Sequence, residues 1–256
     1  MGFGHRLLLL AALPAMCAAT AAQADPTKVE VRVLSRGAKF MGGYRAAVRI
    51  ELTDADTGEV LARGQTAGTT GDTRRILSKG AESGGTMSTP DSAVFRATLD
   101  LDRPRRVTLS ATGPLSQPQA ATTVTSTQWI LPGRDLVAGD GWLVEMPGLI
   151  VDLATPLAYQ PVTAGTAVPL RAGVTMLCGC PLSEKGPWRL GDAAVEAHVT
   201  HDGTETRRID LVFDPKTAQF GADIPDVRPG LYEVEIRAWM GSTNNAGIAR
   251  TAFMVR

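Results

Sequence analysis

Cys178 and Cys180 stand two residues apart in the run Val174-Thr175-Met176-Leu177-Cys178-Gly179-Cys180-Pro181. The third cysteine of the chain, Cys17, lies in an apolar leader. A thiol pair at this spacing has three chemical uses: a local disulfide, a soft metal site, or buried thiols that do nothing. On a regular strand, same-face side chains two apart are separated by roughly 6–7 Å, twice the rise per residue. A disulfide needs Cβ atoms about 3.5–4.5 Å apart. A straight strand therefore forbids the bond. Gly179 and Pro181 both permit a bend, and a bend there would bring the sulfurs together in a small ring. Such a ring would be labile, which adds redox chemistry to the disulfide reading.

Metal binding is the competing chemistry. Cys178, Cys180, His198 and His201 form a Cys-x-Cys and His-x-x-His set, and Met176 adds a thioether on the cysteine side of the strand. Thiolate and thioether favour Cu(I), and thiolate with imidazole suits zinc or copper. The spacing is not that of a zinc finger. Alternation turns His198 toward water, and His201 falls in a hairpin turn, where a solvated histidine is the plain alternative. No resident cofactor is expected, with copper or zinc as the alternative.

Trp188 follows Pro187 in a loop just beyond the cysteines. An exposed tryptophan there would anchor a partner protein, and Met176 would contribute to the same edge. The alternative is a plug over an open end of the fold. A carbohydrate-binding role would need a row of exposed aromatics, and the chain has only four Trp and three Tyr. Asp54 and Asp56 before Gly58 resemble a fragment of a calcium loop, but the downstream glutamate is missing and a plain turn explains them. Asp100 and Asp102 read as the wet side of a strand. No nucleophile elbow, HExxH, P-loop or dinucleotide fingerprint occurs, so the expectation is a non-catalytic protein.

The elements that must position these residues are strands. Apolar and polar residues alternate in 29–34, 47–52, 94–101, 195–200 and 230–238. Asp54 to Gly58 and Asp202-Gly203 are turns that make hairpins of their flanks. On the strand leading to the thiols, Leu170, Ala172, Val174, Met176, Cys178 and Cys180 share the apolar face. Arg171, Gly173, Thr175, Leu177 and Gly179 share the other. Between Gly64 and Pro90 the polar, glycine-rich composition predicts a mobile loop with one short strand near Arg75 to Leu77. Trp142 is expected to pack where two domains meet. The order Pro229-Gly230-Leu231-Tyr232, an alternating strand, an Asn-rich turn and Thr251 to Val255 resembles the last two strands of bacterial immunoglobulin-like or fibronectin-III-like domains. The likeness implies an all-β fold of two tandem β-sandwiches. It leaves function open, because these families share architecture rather than chemistry. The immunoglobulin disulfide between sheets is absent, since Cys178 and Cys180 are too close in sequence to span a sandwich.

The expected division is a signal peptide over 1–24, a first sandwich over 25–131, a linker over 132–148 and an immunoglobulin-like sandwich over 149–256. Leu7 to Leu13 supply the apolar stretch of the leader, and Ala22-Gln23-Ala24 supplies small residues for cleavage. Met16 before Cys17 argues against lipidation. No other stretch is apolar enough for a transmembrane segment. The whole chain carries 26 basic and 26 acidic side chains, which gives no electrostatic case for nucleic acid. The sequence thus points to a periplasmic or secreted accessory protein that docks another envelope protein through loops near the cysteines.

Overall fold

The structure is a computed structural model and describes Met1, residues 24–79 and residues 85–256. The expected leader and Cys17 lie outside the described residues. Among the described residues, sixteen strands form four sheets, arranged as two sandwiches in sequence order.

The first sandwich opens with β1 (Asp25–Ser35), followed by the one-turn helix α1 (Gly43–Ala46). β2 (Arg49–Asp54) and β3 (Val60–Gln65) form the hairpin expected across the 54–58 turn. After α2 (Thr73–Lys79) come β4 (Phe95–Leu101), β5 (Arg105–Gly113), β6 (Thr122–Ile130) and β7 (Trp142–Met146). The two sheets run β4-β1-β7 and β3-β2-β5-β6. β1 changes partner midway: Asp25 to Val31 pair antiparallel with β4, and Val31 to Ser35 pair parallel with β7. Its apolar members Val29, Val31 and Val33 are fully buried against Ile50, Leu52, Val107 and Leu109.

Two expectations are corrected here. The segment 132–148 is not a linker. Leu136 exchanges backbone hydrogen bonds with Lys28 and Glu30, and β7 completes the first sheet. Trp142 accordingly packs inside the first sandwich, with Nε1 donating to Ser126 Oγ at 3.2 Å, and not between domains. The strand expected near Arg75 is helix α2. Asp72 Oδ1 accepts the N–H of Arg75 at 2.7 Å, an N-cap that the composition concealed. Ile76 of this helix packs with Phe40 and Ala93 in a small separate cluster.

The second sandwich contains β8 (Leu149–Thr155), β9 (Pro161–Val162), β10 (Val168–Met176), β11 (Ala193–His201), β12 (Thr204–Asp210), β13 (Val212–Asp214), β14 (Gln219–Ile224), β15 (Gly230–Met240) and β16 (Asn245–Val255). Its sheets run β8-β10-β14-β13 and β9-β16-β15-β11-β12. In immunoglobulin terms these orders are A-B-E-D and A′-G-F-C-C′. The parallel pairing of β9 with β16 ties the first edge to the last strand. Asp202 (φ 48°) and Gly203 (φ 79°) take the two left-handed positions that a tight hairpin turn requires between β11 and β12.

At the start of β15 the Tyr232 hydroxyl accepts the N–H of Arg228 at 3.1 Å. This is the tyrosine corner of immunoglobulin-like folds. The ring is buried and stacks on Phe253, with centroids 5.2 Å apart. Two residues on, where an immunoglobulin domain places its second cysteine, stands buried Val234. The centre of the sandwich is therefore aliphatic and aromatic, and its cysteines lie beyond the end of β10.

Asp54 closes the β2–β3 turn. Oδ1 accepts the N–H groups of Asp56 and Thr57, both at 2.9 Å, and Oδ2 meets Arg105 Nη1 at 2.8 Å. The calcium-loop likeness is thus a self-contained turn. The Arg105 guanidinium, aided by the Thr57 N–H, holds the Asp54 carboxyl well below the usual carboxylate range. Its folded-state pKa is depressed, so the stabilisation is present above the unfolded value of about 3.9. It is lost as pH falls through the folded-state value. Asp54→Asn is therefore expected to lower Tm at neutral pH, with the gap to wild type narrowing below about pH 3. Thermal unfolding followed by circular dichroism across that range checks the sign. Tyr232→Phe leaves the Arg228 N–H without its acceptor and is expected to cost about 1–3 kcal/mol in urea unfolding.

Candidate functional site at the domain junction

β10 delivers the sulfur pair as the sequence parity requires. Val168, Leu170, Ala172, Val174 and Met176 are buried along one face, with Pro169, Arg171, Gly173 and Thr175 on the other. The strand then ends. Met176 donates its N–H to the Cys180 carbonyl at 3.0 Å, and Gly179 donates to the Met176 carbonyl at 2.8 Å. Gly179 adopts φ 78°, the left-handed conformation for which glycine suits this position. Thr175 then bridges Pro181. The bend that a disulfide would need is present, and it places the two Sγ atoms 2.6 Å apart. Both cysteines are thiols in the structure, Cys178 buried and Cys180 partly exposed. The turn also breaks the parity at Leu177, which is fully buried instead of facing out.

The turn sits against the first sandwich. Lys39, in the segment after β1, favours negative charge on the Cys178 sulfur through its main-chain N–H and its own charge. Neighbouring carbonyls of that segment are also claimed by the second sandwich. Trp188 Nε1 donates to Gly37 O at 2.9 Å, and Asn245 Nδ2 donates to Arg36 O at 3.0 Å. Asn245 Oδ1 in turn accepts the Gly148 N–H at 2.9 Å. At Gly37 (φ 66°) an added Cβ would lie 2.6 Å from Thr243 Cγ2, so only glycine lets the β15–β16 turn close on this segment.

This packing overturns the expected docking edge. Trp188 is only 8% exposed and Met176 is fully buried, so neither side chain is free to anchor a partner. Trp188 is a plug, and what it plugs is the joint between sandwiches. The five-residue metal set is likewise not gathered. His198 Nε2 lies 2.7 Å from Glu196 and 3.0 Å from Arg237 on the sheet surface. His201 stacks on Tyr232 at 4.5 Å, and its Nε2 meets Pro229 O at 3.0 Å. No group of three or more His, Cys, Asp or Glu that would hold a metal ion forms among the described residues. The histidines are spent on the second sandwich's own packing and ion pairs, and the cysteines on the joint. Exposed Trp129 and Trp239 belong to β6 and β15, in different sandwiches, and so form no sugar-stacking row.

Beside the sulfur turn the two sandwiches enclose a cleft of about 380 Å³. Tyr44, Arg45, Ser116 and Gln117 line it from the first sandwich, and Ile150, Asp152, Gly173, Thr175 and Gly179 from the second. Tyr44 is 83% exposed at its mouth, with the Arg45 guanidinium 5.5 Å from the ring centroid. Sequence reasoning missed both residues. They lie in α1, 135 positions before Gly179, and no local pattern links the two.

The pair is electrostatically unequal. The hydrogen bond from the Cys180 thiol is the main cause that lowers the Cys178 pKa, to about 7. Burial opposes this, and the N–H and charge of Lys39 reinforce it. Cys180 is pushed up, first by the same shared hydrogen bond and then by burial. Cys178 is therefore the more readily ionised of the two, and Cys180 the one that keeps its proton to higher pH.

No family model matches the chain, and no curated protein matches it. Matches among solved structures include fibronectin(III)-like modules of Clostridium thermocellum CbhA. These have 9% identity over 90% of this chain and 94% of that one, with a TM-score of 0.29. The titin domains z1z2 in complex with telethonin have 15% identity over 91% of this chain and 88% of theirs, with a TM-score of 0.25. An engineered protein shares 17% identity over 50% of this chain and 24% of its own, at a TM-score of 0.32. The chain resembles immunoglobulin-like and fibronectin-III-like sandwiches. The strand orders and the tyrosine corner carry that statement.

Removing the Cys180 thiol deletes the principal donor to Cys178. Cys180→Ala is expected to move the appearance of the Cys178 thiolate upward by roughly one to two pH units. Ultraviolet thiolate absorbance against pH, on reduced protein, reads this directly.

Proposed function

We propose that the chain is an exported, non-catalytic accessory protein that binds an envelope partner protein at the junction of its two sandwiches. One observation carries this reading. An exposed tyrosine and an arginine stand at the mouth of a cleft walled by both sandwiches. Tyrosine and arginine are enriched among residues that dominate binding energy, because each offers large contact area together with directional polar groups. The seam of side chain to main chain hydrogen bonds supports the reading, since a fixed cleft loses little entropy on binding. Tandem immunoglobulin-like modules suit a binding or adaptor role. Export and a periplasmic location rest on the apolar leader with Ala22-Gln23-Ala24 before Asp25.

Photo-crosslinking in the producing cell tests this. A crosslinker placed at Tyr44 is expected to give one discrete heavier adduct. The same group at Val212, an exposed position on β13, is expected to give none. Once the adduct is identified, Tyr44→Ala is expected to weaken the purified complex by about 30-fold, the size of a 2 kcal/mol contact. Equal labelling from both positions would remove the cleft as the docking surface.

A further inference from the structure

We propose that Cys178 and Cys180 form a reversible thiol–disulfide exchange centre, in which Cys180 exchanges with external thiols and disulfides and Cys178 is the internal attacking and leaving sulfur. The inference is independent of the partner reading above, since small thiols suffice to test it.

Geometry supplies the first argument. The turn holds the sulfurs 2.6 Å apart, short of the disulfide length of about 2.05 Å by a small side-chain movement. The backbone is already bent, with Met176 and Cys180 hydrogen-bonded across the turn. Bond formation therefore needs no unfolding of β10. Access supplies the second. Cys178 is buried, whereas Cys180 is partly exposed beside Gly179, which lines the open cleft. An external sulfur thus reaches Cys180 first. Charge supplies the third: Lys39 favours the anionic form of Cys178, the sulfur that must leave when the bond opens. A thiolate that is readily formed is the better leaving group.

The steps balance with a low-molecular-weight disulfide, RSSR, as oxidant. The neighbouring Cys178 thiolate takes the proton of Cys180, and Cys180 Sγ attacks one sulfur of RSSR; the S–S bond of RSSR breaks, and RS⁻ departs, taking that proton from Cys178. The product is a Cys180–S–S–R mixed disulfide. Cys178 then attacks Cys180 Sγ, the bond to R breaks, and a second RS⁻ leaves and is protonated. Two electrons pass from the protein pair to RSSR, giving one protein disulfide and two RSH. In reverse, an external thiolate attacks Cys180 Sγ, Cys178 leaves as thiolate, and a second external thiol releases the first as RSSR. The external sulfur belongs either to a small thiol or to a cysteine of a polypeptide, and both meet the same Cys180.

The test uses the purified full mature chain, reduced and then incubated anaerobically in graded mixtures of oxidised and reduced glutathione. Intact mass and non-reducing peptide mapping read the products. Wild type is expected to lose two hydrogens, with the fraction oxidised following the glutathione ratio reversibly. Cys178→Ser is expected to stop at one glutathione on Cys180, and Cys180→Ser to react at least tenfold more slowly than Cys178→Ser. Circular dichroism confirms that both variants fold. A parallel arm replaces glutathione with an unstructured peptide carrying one internal disulfide, and the faster arm identifies the source of the external sulfur. Three results would overturn the proposal. These are a pair that stays dithiol in both arms, a disulfide that excess reduced glutathione leaves intact, and equal glutathione capture by the two serine variants.

Discussion

The segment Arg36 to Lys39 leaves the first sandwich with main-chain groups that its own sheets do not satisfy. Buried backbone N–H and C=O groups need partners, and an orphan costs as much as a lost hydrogen bond. Here the partners come from the other sandwich: Asn245 for the Arg36 carbonyl and Trp188 for the Gly37 carbonyl. The second sandwich therefore completes the first. The position of the sulfur pair, the burial of Trp188 and the walls of the Tyr44 cleft all follow from that exchange.

This constraint explains how an immunoglobulin-like sandwich uses two cysteines that are not its core disulfide. Its core is held by apolar alternation on β10, β11, β15 and β16, with Tyr232 anchoring the corner and Val234 filling the central position. The cysteines are displaced to the end of β10, where the strand runs out under the first sandwich. There a glycine turn brings them into contact, and the neighbouring domain divides them into one shielded and one accessible sulfur. Chemistry thus sits at the end of the sandwich, as is common for folds whose sheets are rigid scaffolds.

The strands with strict alternation were legible from the chain, because a half-buried strand writes its two faces into its residues. The hairpins at Asp54–Gly58 and Asp202-Gly203 were legible for a similar local reason. Helix α2 was not, since two adjacent apolar side chains, Ile76 and Leu77, and an Asp72 cap leave little period to detect. β7 was not, because its pairing with β1 is parallel and joins residues more than a hundred positions apart. His198 was assigned to water from alternation, yet its ring lies in an ion network whose other members come from β11, β12 and β15.

The sequence by itself determined the all-β character, the apolar face of β10, the tyrosine corner and the bend that Gly179 permits. Each depends on residues within a few positions of one another. Tertiary structure alone decided that Trp188 and Met176 are interior and that Tyr44 and Arg45 share a cleft with Gly179. It also decided that one thiol is buried while its neighbour is partly exposed. These facts depend on which distant main-chain groups lack partners and where the chain finds them, and no local pattern of side chains encodes that.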